Sequence, residues 1–272
     1  TDIKNWLPQE KNKHQLFETV KYYLFFRKEG VISAKYGSLQ KIAYLACDHW
    51  RKEGVLDQID VHLAVPTPRI FGIPVFADEL DKVIADYGIT LHVNTELSSV
   101  DPDGHKATFT TAGDQPEEFT LPYDVMHVTP HQSAPDWIKS SPLSTGSGPG
   151  YVEVDKHTHQ HVRYDNVFSL GDAGSTPNSK TGAAIRKQAP VVAANVLRRL
   201  EGEDPTERYG GYASCPLTTS SSKMLLAEFD YSMEPAPSIP FIDTLKPRRD
   251  MWYLKKYGLP HLYWNYMLKG RA

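Results

Sequence analysis

Between Val167 and Gly182 the chain reads VFSLGDAGSTPNSKTG, where a Gly-Asp step joins an apolar run to a capped, Ala- and Val-rich stretch. Val167, Phe168, Ser169 and Leu170 read as a short buried strand. Gly171 lets the backbone come close to a ligand with no Cβ in the way. Asp172 offers a carboxylate that accepts hydrogen bonds from hydroxyls. Ser179 or Thr181 then caps a helix whose free N–H groups and positive dipole end suit an electron-rich carbonyl or a phosphate. The same residues read equally well as an ordinary βα turn with a capped helix.

Other chemistry-bearing groups are weaker. His157, His159 and His161 alternate, so on a strand they would share one face, but on an exposed edge near a turn such residues are solvated, and no metal is expected. No G-x-G-x-x-G fingerprint is present, and Gly146, Gly148 and Gly150 follow no strand. Gly146-Ser147-Gly148 lacks the flanking strand of a nucleophile elbow, so hydrolase chemistry has no support. Cys47 and Cys215 lie far apart and in no CxxC, which indicates neither a zinc cluster nor a disulfide framework.

The elements that must position these residues read as α/β. A strand near Val31–Ser33 precedes Leu39, Ile42, Ala43, Leu45, Ala46 and Trp50 at helical spacing; a strand over Asp60–Val65 precedes Phe76, Leu80, Val83, Ile84 and Tyr87 at the same spacing. Ile89–Val93 follows, and two βα units in tandem argue for a parallel sheet. Asp103-Gly104 reads as a hairpin turn in a β-ribbon insertion, Val125–Val128 as a further strand, and Thr181–Leu200 as a long helix that Pro190 should kink. From Tyr209 onward one clear strand, Met224–Tyr231, stands in a Tyr-, Ser- and Pro-rich context. The aromatic run Tyr22–Phe26 needs burial against a partner that the sequence does not identify.

The chain of 272 residues is 40% hydrophobic with a net charge of −3, which suits a globular protein and gives no general reason to expect nucleic acid as a partner. Its apolar runs are too short to span a bilayer, and its first residues lack a signal-peptide pattern, so a cytoplasmic protein is expected. The last segment is different. From Leu245 to Ala272 there are seven Lys or Arg against one acid, Asp250, interleaved with Trp252, Tyr253, Tyr257, Tyr263, Trp264 and Tyr266. Such a composition suits the headgroup layer of an anionic membrane, with packing on the protein's own core as the alternative.

Several motifs in this order resemble the sulfide:quinone oxidoreductases: Gly171-Asp172, the loop to Ser179-Lys180-Thr181, Tyr212–Leu217 (YASCPL), Leu226–Tyr231 (LAEFDY), Pro68–Gly72 (PRIFG) and Met126–Pro130 (MHVTP). The likeness covers about Gln40 to the C-terminus. It implies an α/β flavoprotein, peripheral on the inner membrane surface, in which FAD takes electrons from sulfide through redox cysteines and passes them to a quinone, with a small sulfur acceptor. The implied fold is a Rossmann-like three-layer domain of the second dinucleotide-binding type, the C-terminal half of an FAD-binding domain and a basic aromatic tail. The expected boundaries are 1–30 (unclear role), 31–130 (NADH-type domain), 131–244 (returning half of the FAD domain) and 245–272 (membrane-surface tail). The N-terminal FAD-fingerprint segment of the family is not recognisable.

The resemblance also implies roles. Gly171, Asp172, Ala173, Lys180, Thr181 and Gly182 would hold FAD, with Asp172 as a buried acceptor for ribityl hydroxyls and Lys180 and Thr181 at the ring end. Tyr212, Phe229 and Tyr231 would line the quinone approach, or else serve as plain core; Gln188 and Lys187 are weaker site candidates. Where the family places redox cysteines this chain has Ala173 and, before the Gln-Lys-Ile helix, Ala34 or Lys35. Cys215 matches a family position, and Cys47 reads as a core residue. The alternative expectation is a relative that binds flavin or a partner without turning over sulfide.

Overall fold

The computed structural model describes residues 29–33, 39–129 and 133–271. The aromatic run Tyr22–Phe26 and the positions Ala34 and Lys35 lie outside the described residues. By internal contacts the chain divides into two units, one running to Gly72 and resuming over Leu80–Thr129, the other comprising Ile73–Glu79 and Pro130 onward.

The first unit is built on a parallel sheet. Strands β1 (Glu29–Ser33), β2 (Asp60–Ala64), β3 (Thr90–His92) and β7 (Val125–Val128) lie in the order β3-β2-β1-β7, every pair parallel. Parallel neighbours require crossovers, which helices α1 (Leu39–Lys52) and α2 (Pro74–Tyr87) supply. Ala43, Tyr44, Cys47 and Trp50 on α1, and Leu80, Ile84 and Tyr87 on α2, recur at helical spacing and are all buried. Arg51 fastens the ends of the two helices, donating to the Asp86 carboxylate at 2.7 Å with its guanidinium 4.3 Å from the Tyr87 ring centre. This is the expected βα repeat.

Between β3 and β7 the chain makes an antiparallel ribbon of β4 (Thr95–Asp101), β5 (Lys106–Thr111) and β6 (Glu118–Pro122). Phe109 is fully buried and stacks on Phe119 at 5.6 Å. The hairpin turn expected at Asp103-Gly104 joins β4 to β5; Asp101 Oδ1 accepts the Gly104 N–H at 2.8 Å, and the left-handed residue is His105.

The second unit carries a short helix α3 (Asp136–Lys139), a run of isolated bridges, a long helix α4 (Gly182–Leu200), a hairpin of β8 (Ala213–Ser220) and β9 (Lys223–Phe229), and a terminal helical segment. Helix α4 is a single helix with Pro190 inside it. Strand β8 was concealed by Pro216; the proline is tolerated because β8 pairs with β9 alone, leaving its other edge free of ladder demands. The terminal segment is anchored by Met251, buried against Met224 and Leu226, and by Lys255, which donates to Thr218 Oγ1. From there α5 (Arg249–Tyr253) runs through a π-helical turn, Leu254–Gly258, into α6 (Leu259–Asn265). Tyr253, Tyr257, Tyr263, Trp264, Tyr266 and Leu268 are exposed on this segment, so self-packing accounts for its root alone.

Candidate functional site

Leu170 is extended, and the chain then tightens into a 3-10 turn, Gly171–Ala173. Gly171 has φ +62, a conformation costly for residues with a Cβ, and a Cβ there would sit 3.1 Å from Ile185 of α4. Its N–H donates to Gln188 Oε1 at 2.8 Å. Gln188 is 1% exposed, so a buried amide on the inner side of α4 fixes the turn from beneath.

With the Gly171 backbone pinned inward, the next two side chains emerge at the surface. Asp172, expected as a buried acceptor, is exposed, as is Ala173. Lys180 is turned into the loop instead of towards the space in front of it: Nζ donates to the carbonyls of Gly171, at 3.4 Å, and Gly174, and lies 4.4 Å from the Tyr151 ring centre. Burial holds its ammonium below the ordinary lysine range, with Asp172 opposing that shift. Thr181 is the helix cap, its Oγ1 accepting the Ala184 N–H at 3.2 Å. At Gly182 a Cβ would meet nothing within 4 Å, so the start of α4 faces open space.

A residue absent from the sequence-derived candidates holds this region together. Tyr209 is 2% exposed. Its hydroxyl accepts from Asn178 Nδ2 at 2.6 Å and donates to the Tyr212 carbonyl. Its ring lies 5.3 Å from His159 and 5.7 Å, edge-on, from Tyr231. Two hydrogen-bonded pairs thus stand in this region, Gly171 with Gln188 and Asn178 with Tyr209. The signal that could have pointed to Tyr209 is the nearby Gly211: at φ +89 a Cβ would lie 2.2 Å from the Tyr231 ring, which explains the glycine at that position.

The three histidines are not a solvated edge. His157 Nδ1 donates to the Tyr209 carbonyl at 2.9 Å, His159 Nδ1 to the Ser169 carbonyl at 3.1 Å, and His161 Nε2 to the Leu143 carbonyl at 3.1 Å. His159 and His161 are buried, at 0% and 3% exposure. Each ring is committed to a backbone carbonyl, and among the described residues no group of three His, Cys, Asp or Glu could hold a metal ion.

Tyr212, Phe229 and Tyr231 gather around the β8–β9 hairpin. Tyr212 donates to Glu228, itself 2% exposed and accepting from Ser238 as well; burial and Glu228 push the tyrosine hydroxyl up to about 12. Phe229 is buried, and Tyr231 donates to the Lys156 carbonyl at 2.7 Å. Cys215 lies half-buried on β8 opposite Ala227. Cys47 is fully buried on α1, and burial pushes its thiol up to about 12, where it stays protonated and inert.

Around the turn, buried acceptors are left over. His159 Nε2, Thr176 Oγ1 and Asn178 Oδ1 have no hydrogen-bond partner among the described residues. Because His159 Nδ1 carries the proton it gives to Ser169, Nε2 is an acceptor. The exposed Asp172 carboxylate can accept hydrogen bonds from a hydroxyl-bearing group, and the open end of α4 presents N–H groups to an electron-rich one.

No family model matches the chain. Curated proteins do match, and three of them are each named sulfide:quinone oxidoreductase, mitochondrial. That of Mus musculus is 38% identical over 234 residues, covering 86% of this chain and 51% of that protein. That of Dictyostelium discoideum is 40% identical over 235 residues, covering 86% and 51%. That of Schizosaccharomyces pombe is 36% identical over 253 residues, covering 91% and 54%. Among solved structures, the sulfide:quinone oxidoreductase of Aquifex aeolicus superposes with a TM-score of 0.74 at 16% identity, covering 97% of this chain and 64% of that one. A chain in the mitochondrial ATP synthase of Tetrahymena thermophila gives a TM-score of 0.73 at 21% identity, covering 92% and 62%. These two show the fold, an α/β architecture of the Rossmann-like kind. The chain spans about half the length of the curated relatives it matches, and over that span it belongs to the sulfide:quinone oxidoreductase family.

Proposed function

We propose that this chain is part of a flavin-dependent oxidoreductase of the sulfide:quinone type, with Gly171, Asp172, Ala173, Lys180, Thr181 and Gly182 bordering FAD. The observation that carries this reading is the Gly171 turn itself, pinned by Gln188 at the open start of α4 in a chain of this family. The groups at the turn fit the cofactor: an exposed carboxylate suits hydroxyl groups, and the helix end suits an electron-rich ring edge.

When bound, FAD supplies two-electron transfer from sulfide to quinone. The protein's own part is positional. Asp172 accepts hydrogen bonds from ribityl hydroxyls. The N–H groups at the start of α4 favour negative charge beside them, while Thr181 satisfies one of their number. Lys180 acts at one remove, clamping the turn through the Gly171 and Gly174 carbonyls. Tyr212, Phe229 and Tyr231 line the quinone approach, and the aromatic, basic segment 245–272 seats the protein on a membrane surface. Peripheral attachment accords with the mitochondrial names of the relatives; among the described residues no helix is long and apolar enough to cross a membrane. The domain reading that goes with this is a dinucleotide-binding-type unit over 31–130, a returning FAD half over 131–244, and the tail.

A second reading is favoured by the cysteines. Sulfide oxidation in this family calls for a thiolate pair at the flavin, and Ala173 offers none, Cys47 is sealed in a core, and Cys215 stands on β8. On that reading the chain binds flavin, or a partner protein, without sulfide turnover. Anaerobic absorbance of the FAD-loaded protein separates the two: sulfide bleaches the flavin band and a soluble quinone restores it in the first, whereas the band is indifferent to sulfide in the second. A protein that takes up no FAD sinks the flavin reading.

A further inference from the structure

Glu228 is 2% exposed on β9, and it forms no ion pair with another described residue. Burying a carboxylate without a counter-ion costs stability that a neutral side chain of the same shape would not. Three donors hold it: the hydroxyls of Tyr212 and Ser238, each 2.5 Å from Oε1, and the Ser238 N–H, 3.1 Å from Oε2. A carboxyl group that only accepts is ionised. The amide oxygen of a glutamine would accept both hydroxyls as well, so the charge calls for a reason other than tethering the chain.

The two partners of Glu228 meet different surroundings. Ser238 is exposed, so its hydroxyl meets water. Tyr212 is half-buried and shares a face of the hairpin with Glu228: Ser214 is the residue paired with Glu228, and Tyr212 lies two residues before it. Burial and Glu228 keep the Tyr212 hydroxyl protonated at neutral pH. The charge of Arg186 on α4 acts the other way and favours the phenolate, and that guanidinium has no hydrogen bond or ion pair to another described residue. Tyr212 therefore holds a proton at rest, with a positive charge to ease its release.

We propose that Ser238, Glu228 and Tyr212 form a relay that carries a proton from water to a quinone oxygen, a role that rests on the quinone reading of Tyr212. Reducing a quinone to its quinol takes two electrons and two protons. Both electrons and one proton come with the reduced flavin, and the relay brings the other proton. A proton from water crosses the Ser238 hydroxyl and turns Glu228 into an acid, whose O–H then donates to Tyr212. The Tyr212 O–H bond breaks as the quinone oxygen takes its proton, and Glu228 gives its own proton to the phenolate. Glu228 ends ionised and Tyr212 protonated, as they began. Tyr212 touches the substrate, while Glu228 and Ser238 act through it.

The test uses the FAD-loaded full chain, reduced anaerobically with dithionite so that no cysteine is needed, then mixed with a short-chain benzoquinone while the flavin band is followed. Glu228→Gln and Tyr212→Phe should each slow reoxidation at saturating quinone at least about tenfold, while the half-saturating quinone concentration stays within about twofold of the parent's. The double variant should be no slower than the slower single one, because the two residues act in series. Should Glu228→Gln fail to fold, Tyr212→Phe carries the kinetic test, with Ser238 still holding Glu228. In the flavin-free protein, acidification should raise a carboxylic C=O infrared band that Glu228→Gln lacks. An undiminished saturating rate in either variant, losses that add, a change in half-saturating quinone alone, or identical infrared bands in parent and Glu228→Gln would overturn the relay. A parent that takes up no FAD sinks the flavin reading, and a parent whose reduced flavin is not reoxidised by quinone sinks the quinone reading; the relay falls with either. A parent that is reoxidised no faster than its variants removes the relay alone.

Discussion

Gln188 and His159 are the residues on which the candidate site depends from below. Replacing Gln188 by Leu leaves the Gly171 N–H buried without an acceptor and should cost about 1–3 kcal/mol, measured by urea denaturation. His159 makes a different prediction. Burial lowers its pKa, with the Lys180 charge adding to the effect, so the folded protein holds it neutral while the unfolded chain protonates near the ordinary value of 6.5. The stability it contributes is therefore complete above that value and falls as the pH drops through it, because the unfolded state takes up the proton first. His92 has the same sign, from burial and from His62, its stacked neighbour with ring nitrogens 3.0 Å apart. His159→Asn keeps a donor for the Ser169 carbonyl and removes the titration. Its melting temperature should fall less between pH 7.5 and 5.5 than that of the parent, and an equal fall would contradict the assignment.

At the scale of elements, the hairpin β8–β9 and the segment leading into it are held by close contact rather than by pattern. Gly211→Ala would thrust a Cβ into the Tyr231 ring from a left-handed backbone, and a loss of at least about 2 kcal/mol is expected in thermal or urea unfolding. The parallel unit was legible because burial there follows period: α1 and α2 place their core residues at helical spacing, and β2 buries Val61, Leu63 and Ala64. Strand β8 was not, since ASCPLTTS carries a proline and little hydrophobicity; its burial comes from the rest of the second unit. The site was half legible. Gly171 and Thr181 announce themselves by local chemistry, as turn glycine and helix cap. Tyr209 does not, because its partners His159, Asn178 and Tyr231 come from separate stretches that only folding unites. The exposure of Asp172 and the inward turn of Lys180 depend on the 3-10 geometry, which residue types alone do not encode.

For the molecule as a whole, the charged and aromatic C-terminal segment and the flavin site make separable claims. On the membrane reading, vesicles containing anionic lipid should sediment the protein at low salt and release it at high salt, since each Lys or Arg near such a surface contributes about 1 kcal/mol that salt screens. Lys256→Glu/Lys269→Glu should reduce the bound fraction, and salt-independent binding would assign the attachment elsewhere. The flavin claim is tested most directly by titrating FAD into the purified protein and following flavin fluorescence, for the parent and for Asp172→Ala. Asp172 is exposed and has no hydrogen bond or ion pair to another described residue, so the substitution should leave the fold intact. The parent should bind with a change in fluorescence, and the variant at least about tenfold more weakly, the equivalent of one charge-assisted hydrogen bond. Equal affinity in the two proteins, or no binding by the parent, would contradict a flavin site at the Gly171–Asp172 turn.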